Sequence, residues 1–107
     1  MKRAIAAVLA AGACAVAAVP ALAATKTVAV KDDFFSPKSM TVGKGTTVKW
    51  VWKGKSPHNV TVVSGPRKFR SGNKQKGATY SQRLSKKGTY RIVCTIHAGM
   101  SQTITVR

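Results

Sequence analysis

Acidic side chains are almost absent from this sequence. Two of its 107 residues are Asp or Glu, against 19 Lys or Arg, and the formal net charge is +17. The two acids, Asp32 and Asp33, are adjacent, and we interpret them as turn residues. The sequence offers no Ser–His–Asp set, no separated pair of carboxylates and no phosphate-binding loop. We therefore predict that the protein is not an enzyme with a substrate of its own.

Long hydrophobic runs are also scarce, and the single one lies at the N-terminus. Two basic residues precede the run "AIAAVLAAGACAVAAV", and Pro20 separates it from the small residues "ALA". This order of segments is typical of a signal peptide. We predict that residues 1–23 are removed and that Ala24–Arg107 is one exported domain with a formal net charge of +15. The alternatives are a transmembrane anchor, for which the run is short, and a lipoprotein built on Cys14.

Cysteine is the third scarce residue type. Cys14 lies in the predicted leader, so Cys94 is the one cysteine of the predicted domain. Exported proteins usually pair their cysteines, and a lone cysteine has no intrachain partner. Cys94 is therefore a buried free thiol, an intermolecular bridge or a metal ligand.

Six segments of the predicted domain alternate apolar and polar residues with a period of two. Turn sequences such as "GKG", "SGP" and "KKG" separate them, and no segment has a long helical period. This pattern predicts an all-β domain, either an antiparallel sandwich or a barrel. The predicted strands are "KTVAV", "TTVKWVWK", "NVTVV", "TYSQRL", "GTYRIVC" and "SQTITV".

The stretch "CTIHAGM" places a thiol, an imidazole and a thioether within seven residues, at Cys94, His97 and Met100. It lies between two predicted strands, so we expect a tight loop. The other histidine, His58, lies in "SPHNV", where a turn enters another strand. In a sandwich the two places can lie at the same end. Two His, one Cys and a weak Met are the donors of electron-transfer copper sites, and zinc, for which thioether is a poor ligand, is the competing metal.

Each of these residues also has an ordinary structural interpretation. A lone cysteine or methionine is often a core residue, and a lone histidine is more often structural than a ligand. We interpret Thr95, next to the cysteine, as a simple cap of the loop. The predicted domain, however, places both histidines and its one cysteine where a metal needs them. The joint pattern therefore favours a metal site.

The sequences "PHNV" and "C-T-x-H-x-x-M" before a final strand resemble those of the small blue copper proteins, the cupredoxins, and the loop spacing is closest to amicyanin. The resemblance covers the whole predicted domain. It implies a Greek-key β-sandwich of seven to eight strands with one type 1 copper. It also implies copper ligation by His58 Nδ1, Cys94 Sγ and His97 Nδ1, with Met100 Sδ axial. Asn59 resembles the family residue that ties the two ligand loops together.

One position departs from the family pattern. Ile96 stands where many members have proline, "CTPH", so the loop is less restrained here. The count of donors excludes multicopper oxidases and copper nitrite reductases, which need further histidines, and dinuclear centres, which need a second bridging cysteine. The resemblance therefore implies a carrier of single electrons by Cu(II)/Cu(I) cycling. The alternative is a copper carrier or storage protein with the same ligands.

The positive charge predicts a partner with an acidic surface. We expect redox proteins such as a cytochrome c or a dehydrogenase, and an anionic membrane surface is the second choice. Nucleic acid is not expected, since the aromatic residues alternate on core faces, Phe69 excepted. The basic loop Ser64–Thr79 is either a solvated connection, with or without a short helix, or part of the docking surface. The resemblance implies that electrons pass through His97, beside Ile96, Ala98 and Gly99, in a monomer.

Overall fold

The computed structural model describes residues 24–107, and the predicted leader lies outside these residues. The described part contains eight strands and no helix, and none of its segments is a helix that could span a membrane. The strands are β1 Thr25–Lys31, β2 Phe34–Ser36, β3 Ser39–Val42, β4 Thr46–Trp52, β5 Thr61–Ser64, β6 Thr79–Leu84, β7 Gly88–Val93 and β8 Ser101–Val106.

The strands form two four-stranded sheets. One sheet has the order β2-β1-β4-β6 and the other has the order β3-β8-β7-β5. The predicted all-β sandwich is confirmed, but the expectation of purely antiparallel pairing is wrong. β1 pairs with β4, and β3 with β8, in parallel register. The chain leaves one sheet for the other between the members of each pair, so it can return in the same direction.

The predicted alternation places large apolar side chains between the sheets. Trp50 and Trp52 of β4 and Tyr90 and Ile92 of β7 are fully buried. One hydrogen bond crosses this core from one sheet to the other: the Trp50 indole donates to Gln102 Oε1 at 3.0 Å. The other buried apolar residues are Val28, Val30, Phe35, Val42, Val48, Val60, Val62, Leu84, Cys94, Met100, Ile104 and Val106.

Two strands were not predicted from the alternation. β2 and β3 have three and four residues, which is too short for a period of two to be recognised. β2 forms a hairpin with β1 through the two-residue turn Asp32–Asp33. Asp33 has a φ of 72°, a left-handed conformation that Asp adopts more readily than most residues. This turn orients both acidic side chains toward the end of the sandwich that holds the histidines.

Candidate metal centre

Three of the predicted donors converge at one end of the sandwich. His58 Nδ1 lies 3.1 Å from His97 Nδ1. Cys94 Sγ lies 3.4 Å from His97 Nδ1 and 3.9 Å from His58 Nδ1. Each histidine thus directs the same ring nitrogen toward the sulfur, as the family resemblance implied.

The distances among these donors suit a shared metal ion. Donors bound at about 2.0–2.3 Å to one ion lie at most about 4.5 Å apart, and the three potential ligand atoms all fall within 4.8 Å of one another. A thiolate between two imidazoles is a set that copper accepts in both oxidation states. The geometry therefore fits a copper ion held by three strong donors.

Strand pairing explains how Cys94 and His97 come together. Val93 of β7 faces Ser101 of β8 in the sheet, so the seven residues between them must form a closed loop. Cys94 N donates to Met100 O at 3.0 Å, and two further backbone bonds link His97 with both ends of the loop. Gly99 supplies the positive φ, 81°, that this tight loop needs before β8.

Met100 lies beside these donors at the end of the loop. Its side chain is 1% exposed, and it lines the same cleft as Cys94 and His97. Its backbone closes the loop by bonding to Cys94 and His97. The structure thus buries the fourth predicted residue beside the cleft that Cys94 and His97 line.

Asn59 connects the two ligand segments. Its backbone N–H points to Cys94 Sγ at 3.4 Å. Its amide oxygen accepts hydrogen bonds from Thr95 N and Thr61 Oγ1, and its amide nitrogen donates to Thr95 Oγ1 and Asn73 Oδ1. The predicted tie between the loops is present. Thr95, which we interpreted as a simple loop cap, is the partner on the second loop.

The basic loop Ser64–Thr79 supports the first ligand. It contains no helix, and its segment Phe69–Lys74 lies along His58–Val62 as an extra edge. His58 and Lys74 exchange two backbone hydrogen bonds of 3.0 and 2.9 Å. Phe69 packs against the rings of Trp50, Tyr80 and Tyr90. The expectation that Phe69 is an exception to the aromatic residues on core faces is therefore wrong. The loop is a structural support as well as a basic surface.

The two acidic side chains lie against the two histidines, which sequence analysis missed. Asp32 Oδ1 accepts a hydrogen bond from His58 Nε2 at 2.9 Å, and Asp33 Oδ1 lies 3.8 Å from His97 Nε2. The bond to His58, followed by those from the backbone of Ser56 and Lys55, holds the pKa of the Asp32 carboxyl well below its usual range. The one feature of the sequence that could have indicated these contacts is that the two acidic residues of a highly basic chain are adjacent.

The donors differ sharply in exposure. His58, Cys94 and Met100 are buried, whereas the side chain of His97 is 27% exposed. The residues on either side of His97 are exposed too, and Ile96 is 47% exposed. Among these four residues, His97 is therefore the one whose ring reaches solvent.

A model of copper-binding proteins of the plastocyanin/azurin family matches residues 23–107. The plastocyanin of Prochlorothrix hollandica is 37% identical over 112 residues, which cover 92% of this chain and 86% of that protein. The chain therefore belongs to the plastocyanin/azurin family of copper-binding proteins, and it is a cupredoxin.

Solved structures give the same result. An amicyanin variant in its reduced Cu(I) form has a TM-score of 0.70 and 26% identity, and the match covers 78% of this chain and 82% of that one. A copper-containing nitrite reductase from Thermus scotoductus matches with a TM-score of 0.72 and 29% identity, over 78% of this chain. The match covers only 22% of that enzyme, so this chain corresponds to one small part of it.

Proposed function

We propose that this protein is an exported type 1 copper protein that carries single electrons between redox partners. The observation that carries the proposal is the convergence of His58 Nδ1, Cys94 Sγ and His97 Nδ1 within 3.1–3.9 Å. Met100 Sδ is the proposed axial donor. Family membership and the fold support the proposal.

His58, Cys94, His97 and Met100 would hold a copper ion, which would supply one-electron redox chemistry when bound there. The protein's part is to hold the donors still. Asn59 joins both ligand segments, and its backbone N–H points toward the Cys94 sulfur at 3.4 Å. The backbone of His58 is held by its two hydrogen bonds with Lys74 and by the Trp52 indole, which donates to its carbonyl oxygen. Little rearrangement of the chain is then needed when the charge of the ion changes.

Electrons enter and leave at the exposed edge of His97. The other proposed ligands are buried, so a partner approaches the copper most closely through this ring. Ile96 and the small residues Ala98 and Gly99 flank His97 and are exposed. Small neighbours let a partner approach the ring without steric obstruction.

The net charge defines the class of partner. Residues 24–107 carry two acidic side chains, and both lie at the histidines. The rest of the surface is basic and attracts an acidic redox protein, while an anionic membrane is the second candidate. We expect an extracytoplasmic monomer released by cleavage after Ala23. Reduction of an anionic oxidant such as ferricyanide should be faster than that of a cationic one, and added salt should reduce the difference.

The first test is the visible absorption spectrum of Ala24–Arg107 after addition of Cu(II), with Cys94→Ser as its control. An intense thiolate-to-copper band that disappears in the variant is the expected result. A colourless protein that binds one copper and gives up Cu(I) readily to a chelator would contradict electron transfer and favour the copper carrier or store. The absence of binding would overturn the copper site altogether.

A further inference from the structure

The buried edge of His58 has a single charged partner. His58 is 0% exposed, and its Nε2 donates to Asp32 Oδ1 at 2.9 Å. Asp32 lies in the hairpin turn between β1 and β2, 26 residues earlier in the chain. The contact therefore joins the metal centre to an element that supplies none of its proposed ligands.

We propose that Asp32 is a positioning residue that fixes the tautomer and the orientation of His58, an inference that rests on the proposed copper function. A neutral imidazole carries one N–H. Because a carboxylate can only accept a hydrogen bond, the proton must lie on Nε2, and Nδ1 is left with a free lone pair toward Cys94 and His97. A carboxylate behind a ligating histidine also raises the basicity of the donor nitrogen.

The carboxylate is itself held in place by the segment that leads to His58. Lys55 N donates to Asp32 Oδ2 at 3.0 Å, and Ser56 N donates to Oδ1 at 2.9 Å. Asp32 therefore fixes both the ring and the backbone two and three residues before it. These two bonds restrain the carboxylate in the orientation that meets the His58 ring.

Gly54 leaves the space that this arrangement requires. A Cβ at position 54 would overlap Asp32 Oδ1 and would lie 2.7 Å from the Asp32 backbone nitrogen. Position 54 does not require a positive φ. Glycine is required there because the turn that carries Asp32 approaches the segment leading to His58 closely. A side chain at position 54 would displace both the Asp32 carboxylate and the turn backbone that carries it, and so move the carboxylate away from His58 without removing its charge.

Asp33 provides a matched control. It lies in the same turn and carries the same charge, but its carboxylate is 3.8 Å from His97 Nε2 and 74% exposed. That distance is too long for a hydrogen bond. Asp32→Ala and Asp33→Asn therefore remove equal charge near the site, and Asp32→Ala alone removes the bond to a histidine. Asn is used at position 33 because it tolerates the left-handed φ of 72° there, as Asp does.

The first measurement is long-range ¹H–¹⁵N NMR of the metal-free protein at mildly alkaline pH, which reports the tautomer of each histidine. We expect His58 to be protonated on Nε2 in the unchanged protein and in Asp33→Asn. Asp32→Ala and Gly54→Ala should give a mixture of tautomers. The same single tautomer in every variant would overturn the inference. This result does not depend on copper, so it is separable from a failure of the proposed function.

The second measurement is Cu(II) affinity by competition with a chelator, together with the reduction potential. Asp32→Ala should lower the affinity by about 10–100-fold, and Gly54→Ala should lower it in the same direction although it keeps both charges. Asp33→Asn should change it by less than about threefold, because the exposed charge that it removes is screened. Equal losses in the two aspartate variants, with none in Gly54→Ala, would reduce the role of Asp32 to its charge. Urea unfolding of each metal-free variant identifies any loss of fold.

Discussion

The two segments that supply the proposed ligands are built in opposite ways. His58–Val62 is supported on one side by β7 and on the other by Phe69–Lys74. The Trp52 indole also donates to the His58 carbonyl oxygen at 2.9 Å. Cys94–Met100, by contrast, is a short loop held largely by its own backbone bonds, and it exposes Ile96 and part of His97.

Under the proposed function, this difference separates two requirements of an electron carrier. The supported segment would hold a buried donor in constant geometry. The exposed loop would hold the donor that a partner approaches. Asn59 joins the two, so the exposed loop takes its position from the supported segment. Variants that change one segment only should therefore affect different properties.

The largest expected effects come from removing one histidine at a time. His97→Gly should lose the blue band, and added imidazole should restore it, because the vacated space opens to solvent. His58→Gly should lose the band without recovery, since its ring is fully buried behind Asp32. Absorption titrations with imidazole check both variants. Equal recovery in the two variants would contradict the assignment of His97 as the single exposed donor.

The next effect concerns the connection between the segments. Asn59→Ala removes four side-chain hydrogen bonds, which join the buried Asn59 to Thr61, to Asn73 and to both the backbone N–H and the hydroxyl of Thr95. We expect a loss of about 2–4 kcal/mol in the free energy of unfolding of the metal-free protein. Urea unfolding measures this loss.

The control for this variant is Asn73→Ala, which removes one of the same hydrogen bonds. It should cost about 1 kcal/mol. If Asn59→Ala cost no more than its control, the two ligand segments would be held independently of each other.

The sequence predicted the donors because they are rare. A chain with two histidines and one cysteine outside its predicted leader offers few ways to build a metal site, and the spacing from Cys94 to Met100 is short enough to define a loop. The longer strands were predicted as well, since Trp50, Tyr90 and Ile104 lie on regular alternations. These features depend on residues that are close together in the sequence, so a local sequence pattern is enough to predict them.

The remaining features depend on tertiary contacts. The parallel pairing of β1 with β4 is set by how the chain moves between sheets, which no local period reports. The contact of Asp32 with His58 depends on a hairpin turn meeting a loop 26 residues away. The support given by the basic loop depends on Phe69 reaching the core. A single sequence contains no pairing signal for such contacts.

A smaller effect is expected from loosening the support of the first segment. Phe69 anchors the basic loop on Trp50, Tyr80 and Tyr90 at ring distances of 5.9–6.3 Å. Phe69→Ala should cost about 2 kcal/mol, below the range for a fully buried Phe because the ring is half-buried. Copper loss to a chelator should also become faster, because Phe69–Lys74 borders His58. Lys68→Ala, on the same loop, should change stability by less than about 0.5 kcal/mol, and equal effects would show that the anchor is unimportant.

The smallest effect on stability, with a distinct effect on function, is expected at the exposed loop. Ile96→Ser changes a side chain that is 47% exposed beside His97, so stability should change by less than about 0.5 kcal/mol. Electron self-exchange, measured by NMR line broadening in mixtures of the oxidised and reduced protein, should slow about fivefold. This corresponds to an encounter complex that is about 1 kcal/mol weaker, because less apolar surface is buried in it. Val63→Ser is the matched control, because Val63 is 45% exposed but lies on β5. If both variants slowed exchange equally, the docking surface would not be centred on His97, and the two segments would not differ in function as proposed.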